Sequence, residues 1–93
     1  MKSILQYERE CYITGSTTLL HKHHIYGGPN RKISEKNGFW VYLRYDWHNG
    51  ENYGVHFNHE LDLMLKRNCQ REYEKTHTRE EFIKLIGRNF LED

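Results

Sequence analysis

Residues 19–28 read LLHKHHIYGG, with histidines at positions 21, 23 and 24 between apolar neighbours and a glycine pair directly after them. The fold turns on how this stretch is read. Along an extended segment successive side chains point to opposite faces, so His21 and His23 share one face and His24 takes the other. Adjacent rings can then do different work, one gripping a metal ion while the next faces a substrate. Neutral imidazole is a common metal ligand, and its ordinary pKa makes it a natural general base near neutral pH. Gly27-Gly28-Pro29 ends the segment as a turn.

Working outward from it, CYITGSTTLLHKHHIY (11–26) reads as β-prone pieces broken by a Gly-Ser-Thr turn. GGPNRKISEKNG (27–38) reads as a long exposed loop with room for a helical turn. FWVYLRY (39–45) is rich in aromatic and β-branched residues and reads as a strand. DWHNGENYG (46–54) is too broken by glycine to form a long helix. From Asn58 the period changes: Leu61, Leu65, Cys69 and Tyr73 recur every four residues, and Asn58 is a good N-cap, which predicts a helix over 58–74. Thr78 with Glu81 is a capping-box pair. It opens a second helix carrying Phe82, Leu85, Ile86, Asn89 and Phe90, bent at Gly87.

At 93 residues the chain predicts a single domain over 1–93 with one modest core. Apolar content of 37% with 29% charged residues argues for a folded domain rather than a disordered one. The formal net charge is only +1, so any nucleic-acid surface has to come from local clustering. No apolar run approaches the roughly 20 residues of a membrane span. The charged N-terminal stretch lacks a signal-peptide pattern, and Cys11 and Cys69 form no close pair, so a reduced cytoplasmic setting is expected.

Two more histidines, His48 and His56, flank glycine-rich backbone just ahead of the 58–74 helix. A metal site draws ligands from separate elements that converge, so a strand-end pair and a helix-start pair make a credible set. For a single histidine the ordinary assignment is a surface or hydrogen-bonded structural residue, and His21, His59 and His77 are left to it. Arg31, Lys32 and Lys36 are solvated loop charges or, beside a metal site, phosphate contacts. Lys66, Arg67 and Arg71 are read as a solvated helix face. Leu61, Leu65 and Tyr73 are read as core, and Cys69 as a small buried hydrophobe.

Taken together, LHKHHI, the glycine-bearing loop, the strand, HN at 48–49 and the following helix resemble the HNH nuclease superfamily with its ββα-metal core. Within it the chain is similar to small HNH-like proteins often encoded in phage genomes. The matching text is CYITGSTTLLHKHHIYGGPNRKISEKNG, GVHFNHELDLMLK and IGRNFL, which together run from Cys11 to Leu91. The resemblance implies an α+β domain built on a ββα-metal core with an additional C-terminal helix. It implies a metal-dependent DNA endonuclease or nickase in which His24 is the general base and His23 and His48 hold one divalent ion, Mg²⁺ or Mn²⁺, Ni²⁺ or Zn²⁺. His56 is a further ligand or a phosphate contact. Arg31, Lys32 and Lys36 would meet the DNA backbone.

Many relatives in that superfamily also carry a structural zinc knuckle made of two short ligand pairs. Here the first pair reads Cys11-x-x-Thr14 and the second Arg44-x-x-Trp47, so only Cys11 keeps a ligand. A structural zinc is therefore expected to be absent, with Tyr12, Trp40, Tyr45 and Trp47 filling the space. The alternative function is a non-catalytic inhibitor or adaptor on the same scaffold, with a host or phage protein as partner.

Overall fold

The computed structural model describes residues 1–91. Two short strands, β1 (Leu20–His24) and β2 (Trp40–Arg44), form one antiparallel hairpin with His23 opposite Val41 and His24 opposite Trp40. Among the described residues four helices complete this α+β fold: α1 (Arg31–Asn37), α2 (Tyr45–Asn49), α3 (His59–Tyr73) and α4 (Arg79–Ile86). Single turns of 3-10 helix at Gly28–Asn30 and Val55–Phe57 lead into α1 and α3. Among the described residues no helix is long and apolar enough to cross a membrane.

The hairpin connection is where the sequence expectation and the structure part. Residues 31–37 form helix α1 rather than a loop. Its apolar content is a single half-buried residue, Ile33. What fixes the helix is Ser34, whose fully buried hydroxyl donates to the Tyr26 carbonyl at 2.7 Å and accepts from the Tyr26 amide at 3.2 Å. At its end Gly38 takes a left-handed conformation (φ 74°), and a Cβ there would collide with the Lys2 carbonyl. Upstream, only Leu20–His24 of the β-prone 11–26 stretch is strand. Residues 11–16 close into a tight turn instead, with the Cys11 amide bonded to the Ser16 carbonyl at 2.7 Å and the Tyr12 amide to Tyr42 of β2 at 2.8 Å.

Helix α3 starts where expected, its Asn58 side chain accepting from the Leu61 amide at 3.2 Å. The Thr78–Glu81 capping box opens α4, with bonds of 3.1 and 2.9 Å. The helix does not bend at Gly87 but stops there, because Gly87 adopts φ 89° and caps it. Asn89 and Phe90 therefore lie outside it, in a tail that folds back on α3. Gln70, fully buried, donates to Asn89 Oδ1 at 2.7 Å and accepts from the Phe90 amide at 2.8 Å. This pairing satisfies a polar side chain that an apolar core could not otherwise hold.

The core gathers Ile25, Tyr26, Phe39, Val41 and Leu43 from the hairpin, Leu65 and Cys69 from α3, and Phe82 and Ile86 from α4. Tyr26 sits among the rings of Phe39, Phe82 and Phe90, with centroids 5.5–5.6 Å away, and its hydroxyl donates to the Lys66 carbonyl at 2.7 Å. Tyr73, read as core, is only partly buried at its edge. Phe82→Ala should cost about 3–5 kcal/mol by urea denaturation, because Phe82 is fully buried and its removal leaves a cavity. A loss below about 1 kcal/mol would show that α4 is not seated on this core.

Candidate metal centre

The alternation along β1 sets the site. His23 is buried, whereas His21 and His24 lie on more open ground on opposite faces of the strand. The last turn of α2 carries His48, and the 3-10 turn ahead of α3 carries His56. The three rings of His23, His48 and His56 converge, each offering a nitrogen within 4.8 Å of the others. His48 Nε2 and His56 Nε2 are 3.0 Å apart. Two imidazole nitrogens sharing one ion at about 2.1 Å would lie about 3.0–3.4 Å from each other, so that spacing is already suitable.

His23 Nε2 is shut off from solvent and has no hydrogen-bond partner among the described residues. A buried polar atom in that state costs about 1–3 kcal/mol, and a bound cation is the partner such a lone pair lacks. Burial first, then the neighbouring His48 and His56, hold the His23 pKa down to about 3. Burial, followed by His56 and His21, lowers His48 to about 4. Both rings are thus neutral well below pH 7 and keep the lone pairs that a metal needs. The residues fit one divalent ion, and an all-imidazole set favours a transition ion over Mg²⁺.

Around this cluster lies a cavity of about 270 Å³, walled also by His24, Lys22, the Gly27–Gly28 backbone and Arg31. Of the basic residues expected near phosphate, Arg31 reaches the cavity. Lys32 and Lys36 stand exposed on α1 without lining it. His24 Nε2 lies 2.7 Å from Glu35 Oε1, a contact the sequence does not announce, because residues 27–38 read as a loop. Asn30 and Gly38 flank residues 31–37 as helix-end residue types, but the Asn30 side chain makes no cap bond and neither residue fixes the direction of Glu35.

His21, a structural residue by the sequence, has a specific place: its Nδ1 lies 3.0 Å from His48 Nδ1. A ligating histidine is commonly oriented by a partner on its second nitrogen, and His21 stands in that place. His77 stacks on Tyr73 at 4.1 Å, and His59 is exposed at the start of α3; neither approaches the cluster.

Of the positions compared above with a zinc knuckle, Cys11, Thr14 and Arg44 come together. The buried Cys11 thiol contacts the Thr14 side chain and the Arg44 backbone. The Arg44 guanidinium forms a fork with Asp46 at 2.6 and 2.7 Å, and the Tyr53 hydroxyl donates to the same carboxylate at 3.0 Å. The Arg44 fork holds the Asp46 carboxyl well below the usual carboxylate range. Trp47 packs half-buried against the core and edge-on to Tyr53 at 5.1 Å, and Tyr12 also packs on the core. Tyr45 is exposed, so it does not fill this space. Trp40 is turned toward the N-terminal segment, its indole donating to the Met1 carbonyl at 3.2 Å.

No family model, curated protein or solved structure matches the chain. Its functional reading therefore rests on the residues and geometry described above.

Proposed function

We propose that the protein is a metal-dependent endonuclease of the HNH type that hydrolyses phosphodiester bonds in DNA, nicking one strand per encounter. The observation that carries this reading is the convergence of His23, His48 and His56 on one face of β1 while His24 stands at the same cavity from the other. His23, His48 and His56 would hold the divalent ion, which when bound would supply Lewis-acid polarisation of the scissile phosphate and stabilisation of the leaving oxygen. His24 takes the proton from the attacking water. The Gly27–Gly28 backbone leaves the cavity mouth open, with nothing within 4 Å of a Cβ built at either position. Arg31 offsets phosphate charge at the rim.

The test is conversion of supercoiled plasmid to open circle with Mg²⁺, Mn²⁺, Ni²⁺ or Zn²⁺. Metal-dependent conversion is the expected result. No conversion with any of the ions would overturn the reading and leave the non-catalytic adaptor, with a host or phage protein as partner.

Binding to DNA should be salt-sensitive and weakly sequence-specific, because the expected contacts are charges on phosphates rather than groups on base edges. Arg31→Ala should lower affinity for any duplex alike and reduce the salt slope by about 1, read by fluorescence anisotropy across a salt series. Lys32→Ala and Lys36→Ala should change it less, since neither side chain reaches the cavity. Equal losses from all three would place the duplex along the whole of α1 instead.

A further inference from the structure

Glu35 is a half-exposed carboxylate on α1, and a surface ion pair there would ordinarily contribute little to stability. Its surroundings are nevertheless built. Oε1 lies 2.7 Å from His24 Nε2, and both oxygens accept from Lys22 Nζ at 3.2–3.3 Å. Lys22 Nζ in turn lies 4.1 Å over the ring of Trp40, the residue directly across the hairpin from His24. The adjoining Ser34 bonds to both backbone groups of Tyr26, which lies two residues past His24. The carboxylate is thus set relative to the imidazole from two sides: through the helix by Ser34, and through the strand by Lys22.

An ionised carboxylate has no proton to donate. When a neutral imidazole bonds to it, the bonded nitrogen carries the hydrogen and the other keeps the lone pair. From this geometry we infer that Glu35 is the positioning residue of the site, fixing the His24 ring and its Nε2–H tautomer so that Nδ1 presents the lone pair. The inference rests on the nuclease reading for its use in catalysis, since Nδ1 is then the nitrogen that accepts the proton of water. The candidate ligands of the ion are imidazoles, and Glu35 acts from outside the cavity lining, through the His24 ring.

The tautomer is read by NMR on protein with ¹⁵N-labelled histidine, in long-range ¹H–¹⁵N correlations recorded without metal at a pH where His24 is neutral. The wild type should show His24 protonated on Nε2. Glu35→Ala should yield a mixture of tautomers with an unchanged circular dichroism spectrum and melting temperature. Plasmid nicking should fall by about 10–100-fold in Glu35→Ala, the usual loss when the orienting partner of a site histidine is removed. Glu35→Gln should recover part of it, because its amide oxygen still accepts from Nε2–H. A merely structural carboxylate would instead lower the melting temperature in both variants and leave the tautomer unaltered. An Nδ1–H tautomer in the wild type, or a Glu35→Ala variant with tautomer and rate unchanged, overturns the inference. A wild type that cuts nothing overturns the nuclease reading separately, since the tautomer measurement requires no activity.

Discussion

His24→Ala is expected to lower plasmid nicking by about 10²–10⁴-fold, the range for loss of a positioned general base. The fold and the metal affinity should be kept. The separation follows from the strand: His24 and the His23 cluster lie on opposite faces of β1, and the His24 ring bonds to Glu35 rather than to any of the three clustered histidines. Its side chain is only 13% exposed, so truncation removes some packing, but the site borders an open cavity and leaves no large sealed void. Initial nicking rates, a melting curve and a metal titration on the same preparation check the three parts. Nicking at the wild-type rate would show that His24 is not the base.

Acid should destabilise the metal-free protein through His23. In the unfolded chain this histidine binds a proton near its ordinary pKa of 6.5, whereas the folded ring resists protonation down to about 3. Unfolding therefore takes up a proton below pH 6.5. The stability contributed by a neutral His23 is fully present above that value and is lost progressively as the pH falls toward 3. Facing the ring are His48 from α2, His56 from the turn before α3, its neighbour His24 and Lys66 from α3, all of which oppose added positive charge. His48, held near 4, acts in the same direction.

Between pH 6.5 and 4 the loss from His23 alone amounts to about 3 kcal/mol, at about 1.4 kcal/mol per pH unit. His23→Leu removes both the titration and the unpartnered Nε2 and should flatten that part of the stability curve. Urea midpoints for the two proteins at pH 7, 6, 5 and 4 make the comparison. Curves that stay parallel over the range would contradict the account of His23. A transition ion should raise the wild-type unfolding free energy at pH 6–7 by about 2.7 kcal/mol at 100-fold excess over Kd, and the urea midpoint with it, because only the folded chain brings the three rings together.

How much of this was legible beforehand depended on whether the signal was local. That His23 and His24 leave β1 on opposite faces follows from strand alternation, and the structure buries His23 while leaving His24 half-open; their separate roles come only from the family resemblance. Asn58 and the Thr78–Glu81 pair mark helix starts by chemistry confined to four residues, and both caps form. Helix α1 was missed because no apolar periodicity announces RKISEKN; it is held by Ser34, a polar residue whose burial only the tertiary contact with Tyr26 explains. With α1 hidden, Glu35 had no predictable direction, and its bond to His24 was invisible. Gly87 was read as a bend because Asn89 and Phe90 continue the helical spacing, but a left-handed cap followed by a tail clasped by Gln70 satisfies the same residues. The cavity depends on separate segments meeting, which is why Arg31 reaches it and its neighbour Lys32 does not.

The claim on which the rest depends is that His23, His48 and His56 form one metal site. Isothermal titration of metal-free protein with Zn²⁺ or Ni²⁺ at pH 7 tests it directly. The account predicts one ion per chain, with His56→Ala weakening affinity by at least the roughly 10–100-fold that loss of an outer-sphere partner costs. His24→Ala should leave the isotherm unchanged. Failure to bind either ion, or binding that survives His23→Ala and His56→Ala together, would contradict it.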